Sequence, residues 1–426
     1  MLDLVYFDHN ATTPVDPRVR DAMLPWLGEL HGNAASAHRA GQAAREAVET
    51  ARDQVAALVG AHSDDLVFTA SGSEANNAVV SEVARAASWR GEIVLASCEH
   101  PSVRRSAERA AELGMRVRLV PPGGDGVVAA EAFLAAVGPE TRLVALMLAN
   151  NEIGTLQPVA EVAAVCRERG VPVLCDVVQA AGKVDVDVDA LGVDYLTLGA
   201  HKFHGPLGAA ALWIRPATAG RPAPPFESHL VGGSQERRRR AGTANVSALA
   251  GFGVACELAA RELPERRAHL AALRERFEAA LPALGAVVHG ASARRLPHTT
   301  NVAFAGLVGH DLAIRLDLAG YAVSTGAACH SGVVEPSATL LAMGLPREQA
   351  LGAIRISFGM TNTMDEVEAF LPVLAREVAA LRGGRGQAPP LRPIRSDTLA
   401  DSDREVTAAA SRSDVGAGPA PARLVR

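Results

Sequence analysis

At 426 residues the chain is longer than one hydrophobic core usually organises, so two domains are expected. The net charge of −5, with one dense basic run at Arg237 to Arg240, speaks against direct nucleic-acid binding, and no uninterrupted apolar run is long enough to span a bilayer. Hydrophobic residues make up 48% and aromatics only 4%, so the core should consist of Ala, Val and Leu, which suits helices packed on a parallel sheet.

The chain opens with MLDLVYFDHN, which has no basic region followed by an apolar core, so a cytoplasmic protein is expected. After the polar loop Asp8 to Pro14, residues 34–59 are alanine-rich with spaced charges and read as a long helix stopped by Gly60. Leu66 to Thr69 reads as a strand and Ala75 to Trp89 as a helix. Between them Ala70-Ser71-Gly72-Ser73-Glu74 has two readings. Free N–H groups at a helix start attract a phosphate, with Gly72 allowing close approach and Ser73 adding a hydroxyl. Ordinary N-capping by serine accounts for the same residues.

The alternation continues with strand 92–96, the turn Ser97-Cys98-Glu99-His100-Pro101, helix 102–113 and strand 116–120. Helix 128–137, strand 143–148, the turn Asn150 to Thr155, helix 159–169 and a strand from Val171 ending on Asp176 follow. Strands alternating with helices of this length predict a mostly parallel sheet covered on both faces. Right-handed crossovers then gather the loops holding Gly72, Ser73, His100, Asn151, Asp176 and Lys202 along one edge, where open α/β sheets bind ligands.

Lys202 ends the run YLTLGAHK just before a Gly-Pro turn, and Asp176 ends the previous strand. A lysine and a carboxylate at neighbouring strand ends suit pyridoxal phosphate, which needs an amine for its aldehyde and an acid for its ring nitrogen. A lysine beside such a turn is also an ordinary solvated turn residue.

Residues 244–281 read as one long helix, and strands at 302–304, 322–324 and 354–358 suggest a second, smaller α+β domain. Before the last strand lies Ser324 to Gly332, STGAACHSG, a small-residue loop in which Cys329 is expected to be exposed and reactive. The other cysteines, Cys98, Cys166, Cys175 and Cys256, form no C-x-x-C pair and no zinc spacing, so a reducing compartment and no metal site are expected. From Arg382 onward the Gly, Pro, Ala, Ser and Arg composition reads as a disordered tail.

The blocks DHNATTPVDPRV, FTASGSEANN, EHPSV, NNEIGT, DVVQAAGK, AHKFHGP, GGSQERRRRAGTANV, STGAACHSG and AIRISFG occur in this order. Through them, from about Tyr6 to Leu381, the chain resembles the cysteine desulfurases of the NifS/IscS type, in the class V aminotransferase group of fold-type I pyridoxal-phosphate enzymes. The resemblance implies an α/β fold with a seven-stranded, mostly parallel sheet in a large domain, 1–250, and a small C-terminal domain, 251–381, carrying the Cys329 loop. The first residues would pack on the small domain, and 382–426 would remain a tail.

For the site it implies that Lys202 holds pyridoxal 5'-phosphate covalently and Asp176 keeps the ring nitrogen protonated. His100 would stack on the ring, Gln179 bond the phenolic oxygen, and Asn151 sit beside ring and substrate. Gly72, Ser73, His201 and Thr243 would hold the phosphate, with Thr243 reaching over from the second subunit of a homodimer. Arg355 would grip the carboxylate of L-cysteine. Cys329 would take its sulfur as a persulfide, leaving alanine, and pass it to an acceptor such as an iron–sulfur scaffold or a tRNA-thiolation protein. Whether His100 or the cofactor takes the thiol proton stays open.

Gly199 stands where relatives commonly have Ser, His204 where Tyr is common, Leu207 where Lys is common and Ala34 where Pro is common, so weaker cofactor retention is implied. A selenocysteine lyase or an aminotransferase of the same group would use Lys202 and Asp176 equally, and only Cys329 discriminates. A non-catalytic sulfur-carrier scaffold is a third reading.

Overall fold

The computed structural model describes residues 4–325 and 335–384. Cys329 and the tail from residue 385 lie outside the described residues. The elements in chain order are β1 (Val5–Tyr6), α1 (Pro17–Met23), α2 (Arg39–Leu58), β2 (Leu66–Thr69), α3 (Gly72–Ala86), β3 (Glu92–Ala96), α4 (Pro101–Glu112), β4 (Arg116–Val120), α5 (Ala130–Ala136), β5 (Thr141–Ala145), α6 (Val159–Glu168), β6 (Val173–Asp176), α7 (Val188–Leu191), β7 (Tyr195–Gly199) and β8 (Ala210–Ile214). Then come α8 (Val246–Arg261), α9 (Leu263–Ala280), β9 (Ala286–His289), β10 (Thr299–Phe304), α10 (Gly309–Leu318), β11 (Tyr321–Ala322), α11 (Ala338–Ala342), α12 (Arg347–Leu351), β12 (Ala353–Ser357) and α13 (Met364–Arg382).

Seven strands form the main sheet in the order β2-β8-β7-β6-β5-β3-β4, and only β8 runs against its neighbours. The α/β fold class read from the sequence is borne out. Strand periodicity explains the double cover, because alternate residues face opposite ways. Val94 and Ala96 pack into the core with Val55 of α2 and Phe252 of α8, whereas Ile93 and Leu95 join Val79 of α3 and Val103 of α4. β3, β5, β6 and β7 are parallel, so their following loops emerge at one edge.

A second antiparallel sheet, β12-β10-β9, has its own core. Here the expectation of an aromatic-poor interior fails. Phe7, Phe277, Phe304, Phe358 and Phe370 lie in this one cluster, with the Phe7 ring centroid 5.2 Å from both Phe358 and Phe370. In this small core, where three short strands offer little area of their own, aromatic rings make up a larger share than in the first. β1 pairs in parallel with β11 and puts Phe7 into this core, and the following residues cross to the main sheet, where Thr13 N–H donates to the His201 carbonyl at 2.9 Å.

The single helix expected over 244–281 is two. α8 ends at Arg261 and α9 begins at Leu263, because Pro264 has no N–H to continue the ladder and is tolerated only in a first turn. Three strands were not anticipated: the two-residue β1; β8, which reads as apolar throughout; and β9, which is short and edge-placed.

Candidate active site

The edge loops enclose a cavity of about 350 Å³ lined by Gly72, Ser73, His100, Asn151, Asp176, Gln179, His201, Lys202 and Arg355. Each arrives for a local reason. Lys202 follows β7 in a short 3-10 turn, and its Nζ donates to the carbonyls of Asn10 at 2.5 Å and Ala11 at 2.7 Å. Both partners are neutral. Burial, with a smaller push from the Arg355 guanidinium, lowers the Lys202 pKa to about 8, so roughly a tenth of it is neutral at pH 7, far more than for an ordinary lysine.

Behind Lys202 lies a second lysine that the sequence reading passed over. Lys183 is buried and its Nζ donates to the Gln179 carbonyl at 3.1 Å; desolvation lowers its pKa to about 7. His9, equally buried, has both ring nitrogens unpartnered among the described residues and is held by burial at about 3.

Asp176 closes β6. Its Oδ1 accepts from Val178 N–H at 2.9 Å and its Oδ2 from Asn76 Nδ2 at 2.7 Å. Asn76 also reaches Ser102 Oγ at 2.9 Å and accepts from Thr197 Oγ1 at 2.8 Å. His100 is the N-cap of α4, its Nδ1 accepting from Ser102 N–H at 3.1 Å with Ser102 Oγ at 2.8 Å. Burial lowers the His100 pKa, Asp176 opposing and Lys202 assisting. Asn76, Ser102 and Thr197 were missed, although Asn76 lies in the quoted block FTASGSEANN. Glu99, next to His100, is fully buried, and desolvation raises its pKa to about 8; its Oε1 accepts from Met147 N–H at 2.5 Å.

At the third wall α3 starts. Ser71 is its N-cap, its hydroxyl accepting from Glu74 N–H at 3.1 Å, so capping explains Ser71 and leaves the N–H groups of Gly72 and Ser73 at the helix mouth. A Cβ on Gly72 would meet Val178 Cγ2 at 2.8 Å, a close approach only glycine makes without displacement. Arg355, on β12, donates from Nη1 to the Asn151 carbonyl at 2.9 Å and from Nη2 to Asp8 Oδ1 at 2.6 Å, while its buried Nε has no partner among the described residues. Asp8 was not foreseen as its anchor. Gln179 spends its Nε2 on the Asn10 carbonyl at 2.9 Å, and its buried Oε1 is unpartnered among the described residues.

Thr243 is not in this cavity. It is exposed and lines a separate cleft of about 610 Å³ with Phe68, Gln235 and Arg240. The four described cysteines are buried, and burial raises each thiol, Cys98 to about 12 and Cys166 to about 11.

A lysine of lowered basicity, a carboxylate held from behind, and a helix mouth with free N–H groups round one cavity fit pyridoxal 5'-phosphate: an amine for the aldehyde, an acid for the ring nitrogen and a cradle for the phosphate. Comparison with known proteins agrees. The aminotransferase class-V family matches residues 5–370. A cysteine desulfurase of Bradyrhizobium diazoefficiens is 41% identical over 380 residues, covering 89% of this chain and 95% of the relative. The cysteine desulfurase IscS of Dictyoglomus turgidum is 39% identical over 381 residues, covering 89% and 95%. Among solved structures, a NifS-like protein shares 36% identity at a TM-score of 0.82 over 88% of this chain and 99% of its own. SspA, solved in complex with cysteine, shares 29% at 0.73 over 84% and 100%. On its sequence and its fold alike, the chain belongs to the class-V aminotransferase family, in the branch of the cysteine desulfurases.

Proposed function

We propose that the cavity desulfurates L-cysteine to L-alanine, with pyridoxal 5'-phosphate held by Lys202 and the sulfur taken up by Cys329. The observation that carries the reading is the meeting of Lys202, Asp176 and Arg355 in one cavity, in a chain whose relatives are cysteine desulfurases. When bound, the cofactor supplies an electron sink conjugated to the substrate's Cα. Every other task falls to the protein. Gly72 and Ser73 N–H groups and His201 hold the phosphate, Asp176 takes the ring-nitrogen side, His100 covers the ring, and Gln179 and Asn151 flank it. Arg355, fixed by Asp8 and the Asn151 carbonyl, receives the substrate carboxylate.

Lys202, whose lowered pKa of about 8 makes its neutral form accessible near neutral pH, removes the Cα proton. The Cys329 thiolate then forms a bond to the substrate sulfur as the C–S bond breaks, and the three-carbon remainder leaves as alanine. The buried cysteines cannot substitute, since their thiols are raised away from ionisation. Unpaired thiols also suit a reducing cytoplasm. The two cores support a division between α8, whose Phe252, Ala255 and Leu258 pack in the first, and α9, whose Leu270 and Phe277 pack in the second. It falls later than the boundary at residue 250 and separates a cofactor-holding part from a part carrying Arg355 and Cys329. The exposed Thr243 suits a residue that completes the site of a second subunit in a homodimer. The persulfide goes to an acceptor protein of the iron–sulfur scaffold or tRNA-thiolation kind.

The test is brief exposure to L-cysteine followed by mass spectrometry. One added sulfur on the Cys329 peptide is expected, and Cys329→Ala should keep the bound cofactor yet form almost no alanine. Alanine at the wild-type rate from that variant would remove the desulfurase reading in favour of a lyase or aminotransferase.

A further inference from the structure

Asn76, one turn into α3 and 1% exposed, has both amide hydrogens and its carbonyl oxygen engaged in hydrogen bonds. A carboxylate only accepts, so the end of the amide 2.7 Å from Asp176 Oδ2 is the NH2 group. Its second hydrogen goes to Ser102 Oγ, which leaves the carbonyl end to accept from Thr197 Oγ1. The Ser102 oxygen, already accepting, has its own hydrogen for His100 Nδ1. The backbone N–H of Ser102 can only donate, and it points at the same nitrogen. Nδ1 is therefore an acceptor, and the neutral imidazole carries its proton on Nε2.

We propose that Asn76 is a positioning residue at the branch of a one-way chain of donors, Thr197 to Asn76 to Ser102 to His100, which holds the Asp176 carboxylate and presents His100 with its proton on Nε2. What these two groups act on rests on the desulfurase reading; how they are held rests on geometry alone. A chemical consequence follows for the thiol. An imidazole whose Nδ1 is occupied and whose Nε2 is protonated enters the reaction as a donor, so the proton of the attacking thiol goes to another group. Burial works in the same direction by keeping the ring neutral, with Lys202 adding to it and Asp176 opposing. The plain alternative is that Asn76 merely satisfies buried polar groups, as any buried amide must. That role would not require direction, and would not link Thr197 to cofactor affinity.

The experiment uses the holoenzyme and imidazole ¹⁵N NMR. His100 should show a protonated Nε2 and a bare Nδ1, and a protonated Nδ1 overturns the proposal. Ser102→Ala should shift the Nδ1 resonance; Asn76→Leu should shift it too, but not when Ser102→Ala is already present. Cofactor affinity, measured by equilibrium dialysis, should fall roughly 10- to 100-fold in Asn76→Leu, the loss of one bond to a charged group. The cofactor-saturated variant should lose turnover with KM for L-cysteine within about twofold of wild type. Thr197→Val should weaken cofactor binding by about 3- to 10-fold, and Thr197→Ser should restore it. Should Asn76→Leu fail to fold, the Thr197 pair decides, and Thr197→Val binding the cofactor like wild type sinks the idea. If the wild type frees no alanine from L-cysteine, the desulfurase reading falls, while the imidazole resonances and affinities still judge Asn76.

Discussion

Asp176 and Lys202 line the same cavity, yet the residues behind them differ in kind. Behind Asp176 every donor meets one acceptor: Val178 N–H and Asn76 on the carboxylate, Thr197 on Asn76, Ser102 on His100. Behind Lys202 stand Lys183 and His9, buried basic groups that among the described residues are offered only carbonyl oxygens or nothing. A buried group with matched partners keeps one protonation state and one orientation; a buried base without a counter-charge sheds its proton. One wall is built to stay fixed and the other to exchange protons, which is the division of labour that Cα proton removal requires.

The largest blow to that division is at the exchanging group. Lys202→Ala should leave the fold intact, remove the yellow colour of the purified protein, and cut alanine formation by roughly 10,000-fold or more. Visible absorbance and an alanine assay check it. A coloured variant whose cofactor is fixed by borohydride would mean that another amine, Lys183 being the nearest candidate, does the holding. On the fixed wall, Asp176→Asn keeps the shape and removes the charge, so turnover should fall on the order of 100-fold while the protein still binds cofactor. Turnover near wild type would show that the ring-nitrogen side needs no charge.

Lys183 tests the exchanging wall without touching substrate. Its folded pKa of about 7 lies below the ordinary 10.5, so the unfolded chain binds more protons between those values and stability of the apoprotein rises as pH rises through that window. Lys202, lowered to about 8, adds to the rise over the upper part. For Lys183 alone the gain between pH 7 and about pH 9.5 is at most about 3 kcal/mol. Lys183→Met, of similar length and uncharged, should flatten the rise, as read from urea unfolding across that range. An unchanged slope would mean that water reaches Lys183 and keeps it protonated.

The sequence made the strand ends legible because each was marked twice, by an apolar run and by the polar residue that stops it. Asp176, Lys202 and His100 are such residues, and α/β alternation was enough to bring their loops to one edge. Asn76, Thr197 and Lys183 were not legible for a physical reason. Asn76 and Thr197 sit inside helix and strand patterns, where a polar residue looks like the solvent face, and Lys183 stands in the turn after β6, where a lysine looks solvated. Only the three-dimensional packing shows that Lys183 is buried and that Asn76 and Thr197 face each other beneath the sheet edge. Pro264 was a signal in plain view, and reading it would have divided the helix at 244–281. Phe7 illustrates the opposite limit, since nothing local says that a residue near the start of the chain belongs to a core built mainly from residues after 260.

The smallest expected effect belongs to two glycines beside the helix mouth, Gly72 at the start of α3 and Gly199 at the end of β7. At Gly72 an added Cβ would lie 2.8 Å from Val178 Cγ2, so Gly72→Ala must push Val178 and disturb the helix mouth, weakening cofactor binding. Gly199 differs. Its φ of −140° is open to any residue, and a Cβ there would meet His201 Cδ2 at 3.7 Å and Val178 Cγ1 at 3.9 Å, ordinary contacts. The same Cβ would be 4.0 Å from the Gly72 nitrogen, which places a serine hydroxyl beside the anion cradle. Gly199→Ser should therefore fold normally, gain about 0.4–1 kcal/mol from the reduced freedom of the unfolded chain, and bind pyridoxal phosphate about 2- to 10-fold more tightly through one added bond. Equilibrium dialysis of Gly199→Ser and Gly72→Ala against wild type measures both arms. Tighter binding in the first and weaker in the second would locate the phosphate at the start of α3, whereas equal affinities in all three would move it elsewhere in the cavity.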